Sequence, residues 1–291
     1  MSTPYYESFR TPLTSGFRIT YVTAPGGYHP PHWHEELEIL FHLNGESDIT
    51  IDGKKHQLHP KHMIVVDARQ VHSTFSHDLT SMFVSIHISK SYMEKYIPGL
   101  DLYQFRCTPE DITDDNFQEY LDICMLLQDL TKAYIRNPVT LPMETEGYVL
   151  QIFARLIQYF SHPQSALPEN ASLLNSERIR TVISFVITHY KEPISLQDAA
   201  DQLGFSKEYF CRFFKKIMGM SFLQYLNEVR AAHIYQDLEN TDLSVAEIME
   251  QNGFTNQKLF NRTFKAIYGC TPSAVRKGSS GDNNDLPVKI I

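Results

Sequence analysis

The hydrophobic positions near the C-terminal end of the chain follow a helical period. Between residues 206 and 219, apolar side chains recur at the i, i+3, i+4, i+7 spacing of one helix face, at Phe210, Phe213, Phe214 and Ile217. Ser206 stands where a helix N-cap is expected, and Gly219 stands where a helix ends. The opposite face carries the hydrogen-bonding side chains Glu208, Cys211, Arg212 and Lys215. This pattern predicts a short amphipathic helix whose polar face is free to meet an outside partner.

The same pattern returns about 50 residues later. Its apolar positions are Phe260, Phe264 and Ile267, and its polar positions are Gln257, Lys258, Asn261, Arg262 and Lys265. Gly204 and Gly253 are 49 residues apart, whereas Phe210 and Phe260 are 50 apart, so one residue is inserted at the second turn. This imperfect repeat is the strongest signal in the sequence.

Each copy follows another short helical segment that begins after a serine N-cap and ends at Gly204 or Gly253. A short helix, a tight glycine turn and a second helix with a polar outer face are typical of a helix-turn-helix motif. The sequence therefore predicts an all-α domain over residues 176–277 with two such motifs, at 195–218 and 244–268.

The second helix of such a motif enters the major groove of duplex DNA, with its N-terminal half nearest the bases. The side chains expected to face bases are Glu208, Cys211, Arg212, Gln257, Lys258, Asn261 and Arg262. The side chains expected to meet phosphates are Lys207, Lys215, Lys216 and Lys265.

The N-terminal part of the chain has a different period. From residue 18 to about residue 110, short alternating runs are separated by turn signals such as Asp52-Gly53, which predicts an antiparallel β-barrel. Residues 111–161 then show two helical stripes, which either lie against the barrel or pair with a second subunit, and we assign them to dimerisation. The fold class is thus α+β multidomain, and the remaining segments are an arm at 1–17, a linker at 162–175 and a disordered tail at 278–291.

The composition of the chain indicates its protein class and its cellular location. At 291 residues, with 42% hydrophobic and 21% charged residues, the chain is expected to form two domains of a globular protein. It has neither an apolar run of about 20 residues nor the layout of a secretory signal, which predicts a protein with no membrane partner. Its four cysteines lack metal-binding or disulfide spacing, so the cytoplasm is the expected location.

Charge is unevenly distributed along the chain. The net charge is −8, with −9 in residues 1–175, +2 in residues 176–277 and −1 in the tail. An acidic front with a mildly basic back fits a chain in which only the back meets DNA phosphates.

Residues 176–277 resemble the DNA-binding domain of the AraC/XylS family of bacterial transcription regulators. The matching residues include Ser195-Leu196-Gln197-Asp198-Ala199-Ala200, Gly204-Phe205-Ser206, Tyr209-Phe210, Arg212, Phe214-Lys215-Lys216, Gly219, Arg230, Ala246-Glu247-Ile248, Gly253-Phe254, Phe260, Arg262, Phe264-Lys265 and Gly269-Cys270-Thr271-Pro272. The family's base-facing positions fall on the seven residues named above. Asn252 departs from the pattern, because it occupies a position that is commonly apolar.

His32, His34, Glu38 and Gly45 resemble the first motif of the cupin family, and His72 resembles the histidine of the second. On one strand, His32, His34 and Glu38 share parity and so point into one barrel lumen. Three imidazoles and a carboxylate are suitable ligands for Fe, Mn, Ni or Zn, which keeps open a metal-dependent cupin oxygenase or isomerase. The second motif departs from the family at His62, Ala68 and Gln70.

The favoured interpretation is a non-enzymatic sensor without a cofactor, in which His32, His34, Glu38 and His72 line a small-molecule site. The resemblance implies that the effector is a sugar and that the protein binds promoter half-sites in double-stranded DNA as a homodimer. RNA polymerase is a further partner if the regulator is an activator. The two copies differ at their base-facing positions, so each subunit is expected to read an asymmetric site.

Overall fold

The computed structural model describes residues 16–23, 28–77, 81–163 and 171–280 of the chain. Most of the predicted arm and tail therefore lies outside the described residues. The N-terminal half forms two four-stranded antiparallel sheets. Their strands are β1 (Phe17–Thr23), β2 (Tyr28–His32), β3 (Leu37–Asn44), β4 (Ser47–Ile51), β5 (Lys54–Leu58), β6 (Met63–Val66), β7 (His72–Ser76) and β8 (Met82–Ile88).

The first sheet has the order β1-β8-β3-β6 and the second has the order β2-β7-β4-β5. Successive residues of a strand point to opposite faces, and β3 shows the result. Leu37, Ile39 and Phe41 belong to the large core that the following helices cover. Leu40 instead packs with the inner residues Ile49, Ile51, Leu58, Ile64 and Val66 of the barrel. Glu38 shares the parity of Leu40 and therefore also faces the lumen.

The hairpin between β4 and β5 has the predicted tight turn. Asp52 and Gly53 both have positive φ angles, of 47° and 82°. Positive φ at both central residues is what a two-residue hairpin turn requires, and an Asp-Gly pair tolerates it well.

Two long helices follow the barrel. The elements after β8 are α1 (Lys90–Met93), β9 (Tyr103–Phe105), α2 (Phe117–Arg136), α3 (Leu141–Phe160) and β10 (Ser161–Pro163). The apolar stripes of α2 and α3 are buried in the same core as the outer face of the first sheet. The hydroxyl of Tyr120 on α2 also accepts from the backbone N–H of Met63 at 2.9 Å. These stripes thus lie against the barrel, and the assignment of the stripes themselves to pairing with a second subunit is wrong.

The segment predicted as a linker, 162–175, is shorter in the structure. Strand β10 pairs with β9, with His162 opposite Gln104, so the chain remains in a sheet to Pro163. Helix α4 then begins at Ala171. Only residues 164–170 lie between these elements, and they fall outside the described residues.

The C-terminal part is all helical. Its elements are α4 (Ala171–His189), α5 (Leu196–Asp201), α6 (Lys207–Met218), α7 (Phe222–Asn240), α8 (Val245–Gln251), α9 (Gln257–Tyr268) and α10 (Pro272–Ser280). Helix α7 is shared between two cores, one with α4 to α6 and one with α8 to α10. The predicted fold class is confirmed. Within the described part of the chain, no helix has the length and apolar content that a membrane crossing needs.

Candidate DNA-reading surface and ligand site

Helix α6 is fixed at both ends by local hydrogen bonding. The hydroxyl of Ser206 accepts from the backbone N–H of Tyr209 at 3.3 Å, and Gly219 ends the helix at a φ of 71°. Phe210, Phe213 and Phe214 are buried in the core beneath the helix. Every residue of α6 that was predicted to meet DNA is exposed, namely Lys207, Glu208, Cys211, Arg212, Lys215 and Lys216.

Helix α9 repeats this construction. The side chain of Asn256 accepts from the N–H of Leu259 at 2.9 Å, Gly269 ends the helix at a φ of 69°, and Phe260 and Phe264 are buried. The five predicted DNA-contacting residues of α9 are also exposed, namely Gln257, Lys258, Asn261, Arg262 and Lys265. Each helix thus presents a polar face whose N-terminal half carries the side chains suited to bases.

Buried polar groups fix the two motifs relative to each other. The Arg230 guanidinium of α7 donates to the backbone carbonyls of Tyr190 and Glu192, both at 2.7 Å. Asn252, at the end of α8, donates to the Asp237 carboxylate of α7 at 2.8 Å. The turn between α8 and α9 and the end of α4 are therefore both attached to α7, which makes the two reading helices parts of one frame.

The barrel lumen contains a polar cluster around Glu38. One of its carboxylate oxygens, Oε2, lies 3.3 Å from Nε2 of His34 and 3.0 Å from Nε2 of His72. The other, Oε1, accepts from the Ser85 hydroxyl at 2.6 Å and lies 3.6 Å from Nε2 of His87. The His32 ring lies 4.1 Å from the His72 ring, centroid to centroid, so all four predicted residues converge in the lumen.

His87 is a member of this cluster that the sequence motifs did not indicate. It lies on β8 opposite Glu38 of β3, and it shares its inward parity with Ser85. His29 also contributes, because its Nδ1 lies 3.0 Å from Nδ1 of His32. Alternation along β8 was the available signal for His87. A period of two, however, does not reveal which face of the strand points into the lumen until the strands are paired.

Burial and charge oppose each other in the lumen. Burial lowers the pKa of His87 to about 3 and holds the pKa of His32 well below its usual range. Burial acts in the upward direction on Glu38, but its interactions with His87, His34 and His72 hold the pKa of the carboxyl well below its usual range. An ionised Glu38 carboxylate beside the neutral imidazoles of His32 and His87 results.

This donor set satisfies the basic requirement for a metal ion. Ligand atoms of His32, His34 and His72 lie within 4.8 Å of one another, and so do those of His34, Glu38 and His87. Neutral imidazole nitrogens and a carboxylate oxygen are suitable ligands for Zn, Fe, Ni or Mn. The same groups are also suitable hydrogen-bond partners for a small polar molecule.

A cleft lies outside the barrel, between the second sheet and the loop after α6. Its volume is about 420 Å³, and its walls include Tyr28, Val71 and Phe75 from the barrel and Met218 and Met220 from the helical domain. A charged trio lies in the same cleft, with the Asp48 carboxylate 2.6 Å from Nζ of Lys55 and 2.7 Å from Nε2 of His77. This volume is within the range of small-molecule pockets.

Comparison with known families matches the two halves separately. Residues 199–278 match a family described as a helix-turn-helix domain, and residues 20–86 match a family described as a cupin domain. The helix-turn-helix domain and the cupin domain inferred from the sequence are therefore both confirmed.

Relatives of known sequence carry the name of regulators. An uncharacterized HTH-type transcriptional regulator of Staphylococcus aureus is 24% identical over 240 residues, which are 82% of this chain and 31% of that protein. The chain thus spans about a third of the length of this relative. The uncharacterized HTH-type transcriptional regulator YdeC of Bacillus subtilis is 21% identical over 276 residues, which cover 91% of each protein.

Solved structures give similar matches. ToxT from Vibrio cholerae O395 is 13% identical with a TM-score of 0.48, over 92% of this chain and all of that chain. A protein of unknown function from Listeria innocua is 31% identical with a TM-score of 0.33, over 34% of this chain and 94% of its own.

Proposed function

We propose that this chain, a cupin-containing member of the AraC type of helix-turn-helix transcriptional regulators, binds specific duplex DNA under the control of a small molecule. The observation that carries the proposal is the combination of two exposed reading helices on one frame with a buried polar cluster in the attached barrel. The reading helices supply the output, and the lumen supplies the sensor. Such a regulator acts on DNA in the cytoplasm, and RNA polymerase is a further partner if it activates transcription.

The two reading helices have different base preferences in this proposal. Arginine is suited to guanine, asparagine and glutamine to adenine, and a glutamate accepts from cytosine. Helix α6 offers Glu208 and Arg212, whereas α9 offers Asn261 and Arg262 together with Gln257. Each subunit is therefore proposed to read an asymmetric half-site, with the exposed lysines of both helices on the phosphates.

We assign the effector to the lumen, where His32, His34, Glu38 and His72 converge, with His87 added by the structure. A sugar is the proposed class, because hydroxyl groups both donate to a carboxylate and accept from imidazole N–H groups. The cleft outside the second sheet is the second candidate location, since Asp48, Lys55 and His77 offer comparable partners beside the aromatic rings of Tyr28 and Phe75.

A thermal-shift screen of the full chain against sugars and other small metabolites tests the sensor. A bound effector raises the melting temperature in proportion to its occupancy. His34→Ala is expected to abolish the shift of a lumen ligand, whereas Lys55→Ala is expected to abolish that of a cleft ligand. Selection of duplexes from a random pool by the same protein tests DNA reading, and failure to enrich any sequence would contradict the regulator proposal.

Metal binding is the second candidate role for the lumen, and the 4.8 Å spacing of its ligand atoms favours it. His32, His34, His72, His87 and Glu38 would then hold a divalent ion, which would polarise a bound ligand or support a cupin enzyme activity. Elemental analysis of the purified chain decides this point. Stoichiometric metal that is lost in the His32→Ala/His34→Ala double variant would favour the enzyme or metal-sensor alternative.

A homodimer is proposed through the outer face of α2. The inward stripe of this helix is buried against the barrel. On its outer face, Phe117, Leu121 and Met125 lie four residues apart and are 51%, 38% and 52% exposed. Residues at this spacing lie on one side of a helix, so they form a continuous apolar row. A row of this kind on a second copy is the partner that we propose for it.

A further inference from the structure

The second sheet separates the lumen cluster from the helical domain. On β2, His32 faces the lumen, whereas Pro31 before it and Trp33, just after the strand, lie on the side of the helical domain. On β7, His72 faces the lumen, whereas the adjacent Val71 is part of the helical domain's core. This arrangement follows from the alternation of side chains along a strand. Two of the lumen histidines, His32 and His72, are therefore sequence neighbours of residues that pack against the helical domain.

The contacts on the helical side are specific. The buried Tyr225 hydroxyl of α7 donates to the backbone carbonyl of Pro31 at 2.8 Å. One turn later on α7, the Glu228 carboxylate accepts from the Tyr28 hydroxyl at 2.5 Å and from the Gln224 amide at 2.9 Å. Both ends of β2 are thus hydrogen-bonded to one helix, and that helix carries both reading motifs.

A second set of contacts lies beside the first. The guanidinium of Arg180 on α4 lies 5.6 Å from the centre of the Trp33 ring and donates to the backbone carbonyl of Arg69 at 3.2 Å. Trp33 also packs against the core formed by α4 to α7. The strand pair β2–β7 therefore meets the helical domain through polar and apolar contacts together.

Contacts across the lumen complete the connection. His87 on the far wall lies 3.6 Å from Oε1 of Glu38, and the other oxygen of Glu38 lies 3.0 Å from His72. The ring of His72 lies 4.1 Å from that of His32, whose own Nδ1 lies 2.9 Å from the carbonyl of Pro30. A ligand that displaces these side chains therefore acts on groups that are in contact with the backbone of β2 beside Pro31.

We propose that the strand pair β2–β7 couples the lumen to the DNA-reading helices, with Tyr225 and Glu228 of α7 as the positioning residues that hold this connection. This inference rests on the proposed small-molecule control and specifies how it operates. A ligand shifts the equilibrium only through different affinities for two arrangements, and here these differ in the position of β2 against α7.

The test perturbs the far wall of the lumen and measures α7. In the full chain, His87→Ala is expected to change amide hydrogen exchange at residues 224–230 by about fivefold or more, the lower end of typical coupling between sites. In a Tyr225→Phe background, which removes only the hydroxyl, the same lumen change is expected to alter that exchange less than about twofold. Glu38→Gln provides a second lumen change that keeps the side-chain shape if His87→Ala does not fold.

Tyr235→Phe is the matched control, because Tyr235 lies on the same helix but packs against Tyr268 within the helical domain, at 4.6 Å between centroids. The effect of the lumen change should persist in this background. The coupling is refuted if α7 exchange does not respond to either lumen variant, or responds equally in the Tyr225→Phe chain. This readout needs no DNA, so a failed duplex selection would overturn the proposed function without deciding the coupling.

Discussion

The side-chain amide of Asn252 donates to the Asp237 carboxylate at 2.8 Å and to the carbonyl of Ile248 at 2.8 Å. Asn252 is 1% exposed, in a position where the sequence pattern led us to expect an apolar residue. A buried amide is tolerated where it has polar partners, and Asp237 of α7 supplies one. The departure from the pattern is therefore matched by a partner 15 residues earlier in the chain.

Asn252→Ala should lower the free energy of unfolding by about 1–3 kcal/mol, because it leaves Asp237 without its buried donor. The same substitution in an Asp237→Ala background should cost less, since the partner is already absent. Denaturant unfolding of the four proteins measures this coupling. Equal costs in both backgrounds would show that the contact does not stabilise the attachment of α8 to α7.

The two turn glycines should differ in their tolerance to alanine. Gly204 and Gly253 have φ angles of 63° and 79°, so both changes strain the backbone by about 1–2 kcal/mol. A Cβ on Gly253 would also lie 2.8 Å from the carbonyl oxygens of Tyr190 and Lys191, whereas nothing lies within 4 Å at Gly204. Gly253→Ala is thus expected to lower the unfolding free energy roughly twice as much as Gly204→Ala. Similar losses would mean that the end of α4 moves aside.

The helices of the C-terminal domain were predictable because each carries its own local signals. The capping oxygens of Ser206 and Ser244, the terminal glycines and the phenylalanine spacing all act within one or two turns. The contacts between α7 and β2 were not predictable, since Tyr28 and Glu228 are 200 residues apart. No periodicity in the sequence specifies which outer face of a barrel a second domain will cover.

The lumen site was predictable only where its residues are close in the sequence. His32, His34 and Glu38 lie close together on the chain, so parity alone placed them on one side. His87 required the pairing of β8 with β3, which is a long-range property of the sheet. The linker prediction failed at its first end because the pairing of β10 with β9 depends on residues nearly 60 positions apart. It failed at its second end because α4 already begins at Ala171.

His233 should make the helical domain sensitive to acid. Its ring stacks on Tyr190 at 4.1 Å between centroids, and burial, with smaller effects of Lys191 and His29, lowers its pKa from 6.5 to about 3. The unfolded chain binds the extra proton between these values, so stability falls as the pH drops below about 6.5. His233→Phe keeps the stacking and removes the titration. Relative to wild type, this variant should gain about 2 kcal/mol in unfolding free energy between pH 7 and pH 5.

Denaturant unfolding at the two pH values measures that gain. His189→Phe is the control, because this half-buried histidine is the last residue of α4 and lies beside the acceptor Glu192 rather than in the core. A difference between wild type and His233→Phe that does not change with pH would show that His233 does not titrate as described.

Replacing the apolar row of α2 by charges should prevent dimerisation. Leu121→Glu and Met125→Glu together place two like charges on each copy of the proposed interface. The dimer then loses buried apolar surface and gains repulsion between the two copies. Sedimentation of the full chain should then change from dimer to monomer at micromolar concentration. Leu174→Glu is the matched control, because Leu174 is a leucine of comparable exposure, 46%, that lies on α4 and outside the proposed interface. A wild-type monomer would contradict the homodimer outright.

Removing the arginines of the two reading helices should affect different parts of the DNA site. Arg212→Ala and Arg262→Ala are each expected to weaken binding to a selected duplex by about 1–3 kcal/mol and to relax base preference locally. Because α7 holds α6 and α9 in one frame, the relaxed positions should lie in two separate blocks of the half-site. Quantitative binding to a library of single-base variants measures the size and the position of each effect.

Lysines and a distant arginine provide the comparison for these variants. Lys215→Ala and Lys265→Ala should weaken binding to all sequences alike and reduce the salt dependence by about one unit of slope, as loss of a phosphate contact does. Arg136→Ala, on the exposed end of α2, should change neither quantity. If both arginine variants footprint like wild type, the exposed faces of α6 and α9 do not read bases. Relaxation at the same positions by both variants would instead refute the asymmetric half-site, since the two helices would then be reading equivalent sequences.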